Sequence, residues 1–285
     1  MRGNALAHEM IAPATLDAVL ELMAREPGVW TPIAGGTELM VAFSAGHLAA
    51  KKLISLWGLD ELRFIDANPE SIVIGAGATF LDLRRHEVLS AELPLVAQAA
   101  GWIGAVANQG RATLGGNLAN GSPAADSAPA LLVYDAQIEL VSVRGRRMIP
   151  YAEFHTGYKK NVMAADELLY AVHLPRRFAG HQQYLRKVGA RRAMAISKVA
   201  LAGTALLQDR VVTEIRIAAA SLAPYPARMP KTEAALLGRH LTHESVAEAR
   251  RTLIDEVRPI DDIRSTAEYR RRVAANLLGE FLLEL

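Results

Sequence analysis

The segment from Arg111 to Leu131, RATLGGNLANGSPAADSAPAL, constrains the fold more than any other part of the chain. Between Arg111 and Asp126 it contains no charged side chain and nothing larger than leucine. Such a segment fills a core poorly and is poorly solvated at a surface. Its small side chains instead let the backbone come very close to another group, because glycine has no Cβ atom. We therefore predict that this segment binds a ligand.

A similar glycine pair occurs much earlier in the chain. The sequence AGGTE at 34–38 and the sequence TLGGN at 113–117 each place two glycines beside a hydroxyl or amide side chain. The first pair follows a predicted strand at 29–34 and precedes a possible helix start, an arrangement that presents backbone N–H groups to an anion. Two such loops facing each other would suit a diphosphate, although a plain turn is the alternative for either one.

Two common nucleotide-binding motifs are absent. No Gly-Lys-Ser/Thr follows either glycine pair, so neither loop is a P-loop. The sequence GAGAT at 75–79 lacks the third glycine and the downstream acid of the Rossmann fingerprint. Any dinucleotide site must therefore be of another kind.

Uncharged polar residues follow the second glycine pair. Asn117, Asn120 and Ser122 could bond ribose or ribityl hydroxyl groups with no charge to desolvate. Asp126 has two possible roles, accepting hydrogen bonds from the hydroxyl groups of a nucleotide or capping the helix predicted to follow it.

Composition excludes several classes of protein. The 285 residues are 51% hydrophobic and 22% charged, as in globular proteins, and the net charge of +2 argues against a dedicated nucleic-acid binder. We interpret the run Arg270-Arg271-Arg272 as a solvated helix face. There is no apolar run long enough to span a membrane and no signal-peptide pattern, so we expect a cytoplasmic protein.

Cysteine is absent, which excludes disulfides and thiolate-held zinc or iron–sulfur clusters in this chain. The histidines show no ligand spacing, so we predict no metal site.

Hydrophobic periodicity predicts an α+β chain. A helix capped by Thr15 precedes the first glycine pair, and a helix is predicted over 94–105. Strands are predicted over 51–56, 71–79, 137–143 and 166–175, and a three-stranded meander lies near the end. Capping boxes at Ser245/Glu248 and Ser265/Glu268 predict two final helices.

Four segments, taken in order, resemble a known family. They are PIAGGTEL, ATLGGNLANGSPAADSAPALLVYDAQIEL, FHTGYKKNVMAADELLYAVHLP and YLRKVGARRAMAISKVALAG, and together they extend over nearly the whole chain. The chain resembles the FAD-binding medium subunit of molybdenum hydroxylases, the xanthine dehydrogenase and CO dehydrogenase group. This resemblance implies a two-subdomain FAD-binding fold of the vanillyl-alcohol-oxidase (PCMH) type followed by a small C-terminal α+β domain. The implied units are a βαβ-like subdomain at 1–56, a second FAD-binding subdomain at 57–177 and the C-terminal domain at 178–285.

The resemblance also implies non-covalent FAD between the first two subdomains, with its pyrophosphate between the two glycine loops. Lys198 matches a lysine that approaches the flavin ring in xanthine dehydrogenases, and Lys187 is a second basic position; a surface charge is the alternative for each. A cation near the ring would stabilise the anionic reduced flavin. The full set of expected FAD-binding residues is Ile33, Ala34, Gly35, Gly36, Thr37, Glu38, Leu39, Thr113, Gly116, Asn117, Asn120, Ser122, Asp126, Lys187 and Lys198.

Two details of the family pattern are not fixed. The family often has an acid after the paired arginines, but Arg191-Arg192 is followed by Ala193-Met194-Ala195, which puts any role of that acid in doubt. The aromatic residue that covers the flavin in some relatives could be Trp102, Phe154, Tyr158 or Tyr184.

The resemblance explains why this chain contains no cysteine. In the family, electrons leave a molybdenum centre, cross two [2Fe–2S] clusters and reach FAD, and such clusters need cysteine ligands. The resemblance therefore implies a small iron–sulfur subunit and a large molybdopterin subunit as partners, with NAD or another oxidant as acceptor. It implies no catalytic acid or base in this chain.

The substrate class and the type of protein have alternatives. The sequence FHTGY and the lack of an insertion favour a xanthine or N-heteroaromatic dehydrogenase over a CO dehydrogenase. The rival interpretations are a self-contained FAD-dependent oxidase and a nucleotide-binding regulatory module.

Overall fold

The computed structural model describes residues 3–191 and 193–285. Arg192, half of the predicted arginine pair, lies outside the described residues. In the described part of the chain the fold contains three sheets in chain order, and a small β-hairpin is inserted within the chain segment that forms the second sheet. No helix in the described residues is both long enough and apolar enough to cross a bilayer.

The first sheet is parallel and has three strands. Its order is β1-β3-β2, and its elements are β1 (Glu9–Ile11), α1 (Leu16–Arg25), β2 (Trp30–Ile33), α2 (Leu39–Ser44) and β3 (Lys52–Ser55). The predicted cap is confirmed, because the Thr15 hydroxyl accepts a hydrogen bond from the Ala18 N–H at 3.2 Å. The strand β1 was not predicted, since its three residues are mostly exposed and too short to show a period.

The second sheet is antiparallel with the order β4-β5-β10-β6-β7, and its helices lie mainly between β5 and β6. The strands are β4 (Ile65–Ala67), β5 (Ser71–Gly75), β6 (Gln137–Ser142), β7 (Gly145–Pro150) and β10 (Leu168–Pro175); β8 (His155–Gly157) and β9 (Lys160–Asn161) form the separate hairpin. The helices are α3 (Phe80–Arg85), α4 (Glu87–Glu92), α5 (Pro94–Ala100), α6 (Val106–Gln109), α7 (Leu114–Asn120), α8 (Ala128–Val133) and α9 (Tyr151–Phe154). Short 3-10 turns lie at Ala5–Ala7, Asp60–Leu62 and Arg176–Gly180.

The third sheet contains the predicted meander and a short fourth strand. Its elements are β11 (Gln182–Val188), β12 (Val199–Gln208), β13 (Val211–Ala220), β14 (Ala227–Arg228), α10 (Pro230–Ala234), α11 (His243–Glu256) and α12 (Ala267–Glu284). Both predicted capping boxes are wrong, because α11 is capped by Thr242 and α12 by Thr266. Ser245 is the third helical residue of α11, and its hydroxyl accepts a hydrogen bond from the Thr242 N–H at 2.9 Å.

The third sheet packs directly on the middle of the chain. Leu185, Ala202 and Ala218 belong to the same buried cluster as the core of the second sheet. Asp135, which follows α8, accepts hydrogen bonds from Arg228 at 2.6 Å and from Arg177 at 2.7 Å. Apolar packing and ion pairing therefore both join the second and third sheets.

The interpretation of the arginine run as a solvated face is wrong for Arg270. Its side chain is buried and donates to the carbonyl oxygens of Ser221 at 3.0 Å and Lys198 at 3.3 Å. Arg270 also pairs with Asp262, which neutralises its charge inside the fold.

Candidate cofactor site

A cavity of about 490 Å³ lies between the first sheet and helix α7. Its walls include the chain from Trp30 to Leu39, parts of the segment from Ala112 to Asn120, and residues between Asn161 and Leu169. Eleven of the fifteen predicted site residues line it, namely Ile33, Ala34, Gly35, Gly36, Thr37, Glu38, Leu39, Thr113, Gly116, Asn117 and Asn120. Ser122, Asp126, Lys187 and Lys198 do not.

The two glycine segments touch each other at this cavity, although they are far apart in the sequence. A Cβ atom placed on Gly35 would lie 1.6 Å from the carbonyl oxygen of Arg111, so only glycine fits there. The Arg111 Nε in turn donates a hydrogen bond to the Gly35 carbonyl oxygen at 3.3 Å. The structure thus brings the segments together as predicted.

The first glycine segment presents free backbone donors. Gly36 has a φ of +75°, a conformation that glycine adopts without a steric penalty. The N–H groups of Gly36, Thr37 and Glu38 have no acceptor within the described residues. Successive free N–H groups of this kind form a site for an anion.

The second glycine pair differs from its prediction as a loop, because it lies in the first turn of α7. The N–H of Leu114 donates to Ala78, that of Gly115 to Ala76, and that of Gly116 to the Thr113 hydroxyl, over distances of 2.9–3.1 Å. The expectation that both segments hold free N–H groups for an anion is therefore wrong for this one. Its donors already have acceptors within the protein.

Gly115 and Gly116 have different roles in the packing. A Cβ on Gly115 would lie 2.6 Å from the Cβ of Ala76, so this glycine allows α7 to pack closely on the chain after β5. A Cβ on Gly116 would meet only the Thr113 hydroxyl within 4 Å, at 3.0 Å, and Gly116 lines the cavity. Gly116 therefore leaves room for a ligand rather than for the protein.

Uncharged side chains complete the polar wall. The Asn117 Oδ1 accepts a hydrogen bond from the Ser127 hydroxyl at 2.7 Å, which leaves the amide nitrogen available. Asn120 lines the cavity, and its side chain makes no hydrogen bond to the described residues. These amides suit a ligand rich in hydroxyl groups.

Asp126 lies outside the cavity. It belongs to a buried cluster with Lys187 and Ser197, which precede and follow the paired arginines in the sequence. Lys187 donates to Asp126 Oδ2 at 2.5 Å and to the Trp102 carbonyl oxygen at 3.3 Å, and the Ser197 hydroxyl donates to Asp126 Oδ1. Burial raises the pKa of Asp126, and the positive charge of Lys187 opposes that rise. Asp126 does not cap α8, so that alternative is wrong. The surface-charge alternative for Lys187 is also wrong, because its side chain is only 10% exposed.

Lys198 and Ser122 occupy simpler surroundings. The Lys198 ammonium lies 5.2 Å from the centroid of the Tyr269 ring and has no ion-pair partner within the described residues. Its backbone N–H donates to Val188 at 2.8 Å, which fixes the chain at this point. The Ser122 hydroxyl accepts a hydrogen bond from the Ala124 N–H at 3.3 Å and so stabilises a turn.

None of the four aromatic residues considered as a flavin cover lines this cavity. Phe154 and Tyr184 are core residues, Trp102 is half-buried, and Tyr158 is exposed on the β8–β9 hairpin. The one aromatic side chain of the cavity wall, among the described residues, is Trp30.

The sequence interpretation missed the far part of the wall. Met23, Trp30, Leu56, Leu62 and Leu168 give that part an apolar lining. Their patterns indicated only core positions, and their convergence depends on how the first two sheets pack.

Glu167 is another missed wall residue. It pairs with Arg147 at 2.6 Å, and this guanidinium holds the pKa of Glu167 below its usual value. Glu167 lies in one of the four segments that resemble the family, and this position was the only sign in the sequence that it could belong to the site.

These features together fit a dinucleotide. Free N–H groups match a diphosphate, free amides match sugar hydroxyls, and an apolar wall matches a purine ring. No group of three or more His, Asp or Glu side chains in the described residues could hold a metal ion.

Comparison with known families agrees with this geometry. A model described as "FAD binding domain in molybdopterin dehydrogenase" matches residues 6–177, and one described as "CO dehydrogenase flavoprotein C-terminal domain" matches residues 184–285. These two matches follow one another along the chain.

Individual relatives match over most of their length. The xanthine dehydrogenase FAD-binding subunit of Escherichia coli O157:H7 is 30% identical, with 95% of this chain and 93% of the relative covered. The nicotinate dehydrogenase FAD-subunit of Eubacterium barkeri is 27% identical, with 97% and 95% covered. A chain in a structure of carbon monoxide dehydrogenase from Hydrogenophaga pseudoflava superposes with a TM-score of 0.93 at 28% identity, over 98% of this chain and 96% of that one. The chain therefore belongs to the FAD-binding family of molybdopterin dehydrogenases, the medium-subunit flavoproteins of the molybdenum hydroxylases.

Proposed function

We propose that this chain carries electrons from the [2Fe–2S] clusters of a partner subunit, through FAD, to NAD or another small oxidant. The observation that carries the proposal is the meeting of the two glycine segments at one cavity, where the Gly36–Glu38 N–H groups are free. FAD, when bound, accepts electrons singly and releases them in pairs, which suits a link between one-electron clusters and a two-electron oxidant.

The described residues would bind FAD in distinct ways. The N–H groups of Gly36, Thr37 and Glu38 would hold the diphosphate, and Gly116 would leave space for it. Asn117, Asn120 and the turn at Ser122 would face the sugar and ribityl portion.

The buried pair of Asp126 and Lys187 would support the site by fixing the segment after α7 against the third sheet. The family resemblance assigns Lys198 a place near the flavin ring, and its ammonium, which has no carboxylate partner within the described residues, would there supply a positive charge.

The partners follow from what this chain lacks. It contains no cysteine, so it cannot supply the ligands of a [2Fe–2S] cluster. We therefore assign the clusters to a small partner subunit and the molybdopterin to a large one. Relatives named for xanthine and for nicotinate both support an N-heteroaromatic compound as the substrate of the large subunit.

An absorption spectrum of the purified full chain tests this proposal. We expect flavin bands without iron–sulfur features, and we expect acid precipitation to release the flavin because it is not covalently bound. A chain that binds no FAD would overturn the proposal. Turnover of an organic donor by this chain alone would also overturn the proposal, and it would indicate a self-contained oxidase instead.

Co-expression tests the assigned partners. We expect the chain to form a complex with an iron–sulfur chain and a molybdopterin chain encoded beside it, and reduction of the complex by an N-heteroaromatic donor should bleach the flavin bands. Bleaching that does not require the iron–sulfur chain would contradict the proposed electron route.

A further inference from the structure

The charges around the cavity pose a problem for an anionic ligand. Among the described residues that line it, the charged side chains are the carboxylates Glu38 and Glu167, and no lysine or arginine is present. Glu38 also belongs to the segment whose free N–H groups form the anion site. A diphosphate placed there would be repelled by any carboxylate that kept its full charge.

Each of these carboxylates has a cation beside it. Glu167 is 7% exposed and pairs with Arg147 at 2.6 Å. Glu38 is 60% exposed, and its partner is Lys159, whose Nζ lies 3.3 Å from Glu38 Oε1. Lys159 is therefore the one cation within ion-pair distance of Glu38 among the described residues.

The local structure holds Lys159 in position. It lies at the tip of the β8–β9 hairpin with a φ of +52°, and the neighbouring Asn161 donates a hydrogen bond to the Ala119 carbonyl oxygen of α7 at 3.4 Å. The main chain of Lys159 also packs on Gly121, where a Cβ would lie 3.1 Å from the Lys159 Cα. The hairpin thus packs on the α7 side of the cavity, while the Lys159 ammonium reaches the opposite side at Glu38.

We infer that Lys159 is a further residue of the dinucleotide site, and that it compensates the charge of Glu38 so that a diphosphate can bind beside it. This inference rests on the proposed binding of FAD. It assigns Lys159 an indirect role through Glu38 rather than a direct bond to the ligand. The role differs from that of the backbone N–H groups, which bind the diphosphate themselves.

The test compares two neighbouring lysines. Lys160 is exposed on the same hairpin and has no ion-pair partner in the described residues, so Lys160→Met changes the net charge equally without affecting Glu38. We expect Lys159→Met to raise the dissociation constant for FAD about fivefold at low salt, in the range of an exposed ion pair, and Lys160→Met to leave it nearly unchanged. The measurement is FAD titration of the flavin-depleted full chain, followed by flavin fluorescence.

The double variant decides the mechanism. Glu38→Gln combined with Lys159→Met should bind FAD as tightly as the Glu38→Gln single variant, because no carboxylate charge then remains to be compensated. The deficit of Lys159→Met should also shrink at high salt.

Two results would overturn the inference. If Lys159→Met and Lys160→Met weaken FAD binding equally, only the overall positive charge of the hairpin matters. If the double variant binds FAD as weakly as Lys159→Met does, Lys159 binds the ligand directly. A wild-type chain that fails to bind FAD would instead refute the proposed function, so the two failures can be told apart.

Discussion

Gly35 and Arg111 are in main-chain contact across the candidate site, and the first has no room for a side chain. A Cβ on Gly35 would lie 1.6 Å from the Arg111 carbonyl oxygen and 2.4 Å from its carbonyl carbon. Neither atom can move without moving the chain that leads into α7. The contact therefore fixes the distance between the two glycine segments.

The substitution Gly35→Ala should consequently both destabilise the protein and abolish FAD binding. We expect the free energy of unfolding to fall by about 1–3 kcal/mol, as in other overpacked sites. Chemical denaturation and FAD titration provide the two measurements. Gly58→Ala is the control, because a Cβ there meets nothing within 4 Å. Equal stability of both variants would contradict the close contact.

The substitution Gly116→Val should have a different effect, with a strong loss of FAD and a much smaller loss of stability. The added side chain would extend from the α7 wall into the space proposed for the diphosphate. Gly115→Ala is the matched comparison, and it should destabilise the fold because its Cβ would lie 2.6 Å from that of Ala76. Full flavin content in Gly116→Val would place the diphosphate elsewhere.

Removing the carboxylate of Asp126 should lower FAD occupancy. Asp126→Ala leaves the buried Lys187 ammonium without its partner and frees the Ser197 hydroxyl, so the segment after α7 loses its attachment to the third sheet. The flavin-to-protein absorbance ratio of the purified variant measures this effect. Asp66→Ala, at an exposed position of β4, is the control. Unchanged occupancy would refute the supporting role.

Lys198→Ala should leave FAD bound and lower the midpoint potential of the flavin. In the proposed placement of Lys198 near the ring, loss of its positive charge disfavours the anionic reduced form, and we expect a shift on the order of 30 mV, which corresponds to about 1.4 kcal/mol for two electrons. Redox titration followed by absorbance is the measurement. Lys231→Ala removes the same charge at an exposed position on α10 and should leave the potential unchanged. Identical potentials for wild type and Lys198→Ala would exclude this role.

The ion pair between Glu167 and Arg147 predicts a pH dependence of stability. Arg147 lowers the pKa of Glu167 from its usual 4.5, so the unfolded chain takes up a proton at a higher pH than the folded one. The stability contributed by the pair is therefore complete above pH 4.5 and is lost as the pH falls through the lower folded value.

Glu167→Gln should accordingly be less stable than wild type at neutral pH, and the gap should narrow below pH 4.5. Denaturation at a series of pH values checks this. A gap that stays constant down to strongly acidic pH would contradict the assigned pKa direction.

Local signals in the sequence predicted part of the fold well. Thr15 caps α1 because its hydroxyl needs only the next turn, and the apolar spacing of Leu16, Val19, Leu20 and Met23 gives the buried face directly. The starts of α11 and α12 were predicted wrongly, since serine and threonine can both cap a helix and several of them lie close together. In α11 Thr242 and Ser245 cap the helix reciprocally, because the Thr242 hydroxyl accepts from the Ser245 N–H at 3.2 Å and the Ser245 hydroxyl accepts from the Thr242 N–H at 2.9 Å.

The convergence of the two glycine segments at one cavity was predicted, but the detail of the candidate site was not. The composition of 34–38 and 113–117 indicated close backbone approach, and that feature is visible in one sequence. The helical state of Gly115 and Gly116 was missed, because glycine disfavours helices and tertiary bonds to Ala76 and Ala78 stabilise this one. Asp126 and Lys187 lie 61 residues apart, and no local pattern predicts such a pair.

The satisfied donors at the start of α7 have a consequence for maturation. Since Leu114, Gly115 and Gly116 make their hydrogen bonds inside the protein, this side of the cleft takes its final form during folding of the polypeptide. With FAD bound as proposed, the loss of conformational entropy on cofactor binding would fall mainly on the short turn at Gly36, Thr37 and Glu38. A newly made chain should therefore fold first and acquire its flavin afterwards, with little rearrangement.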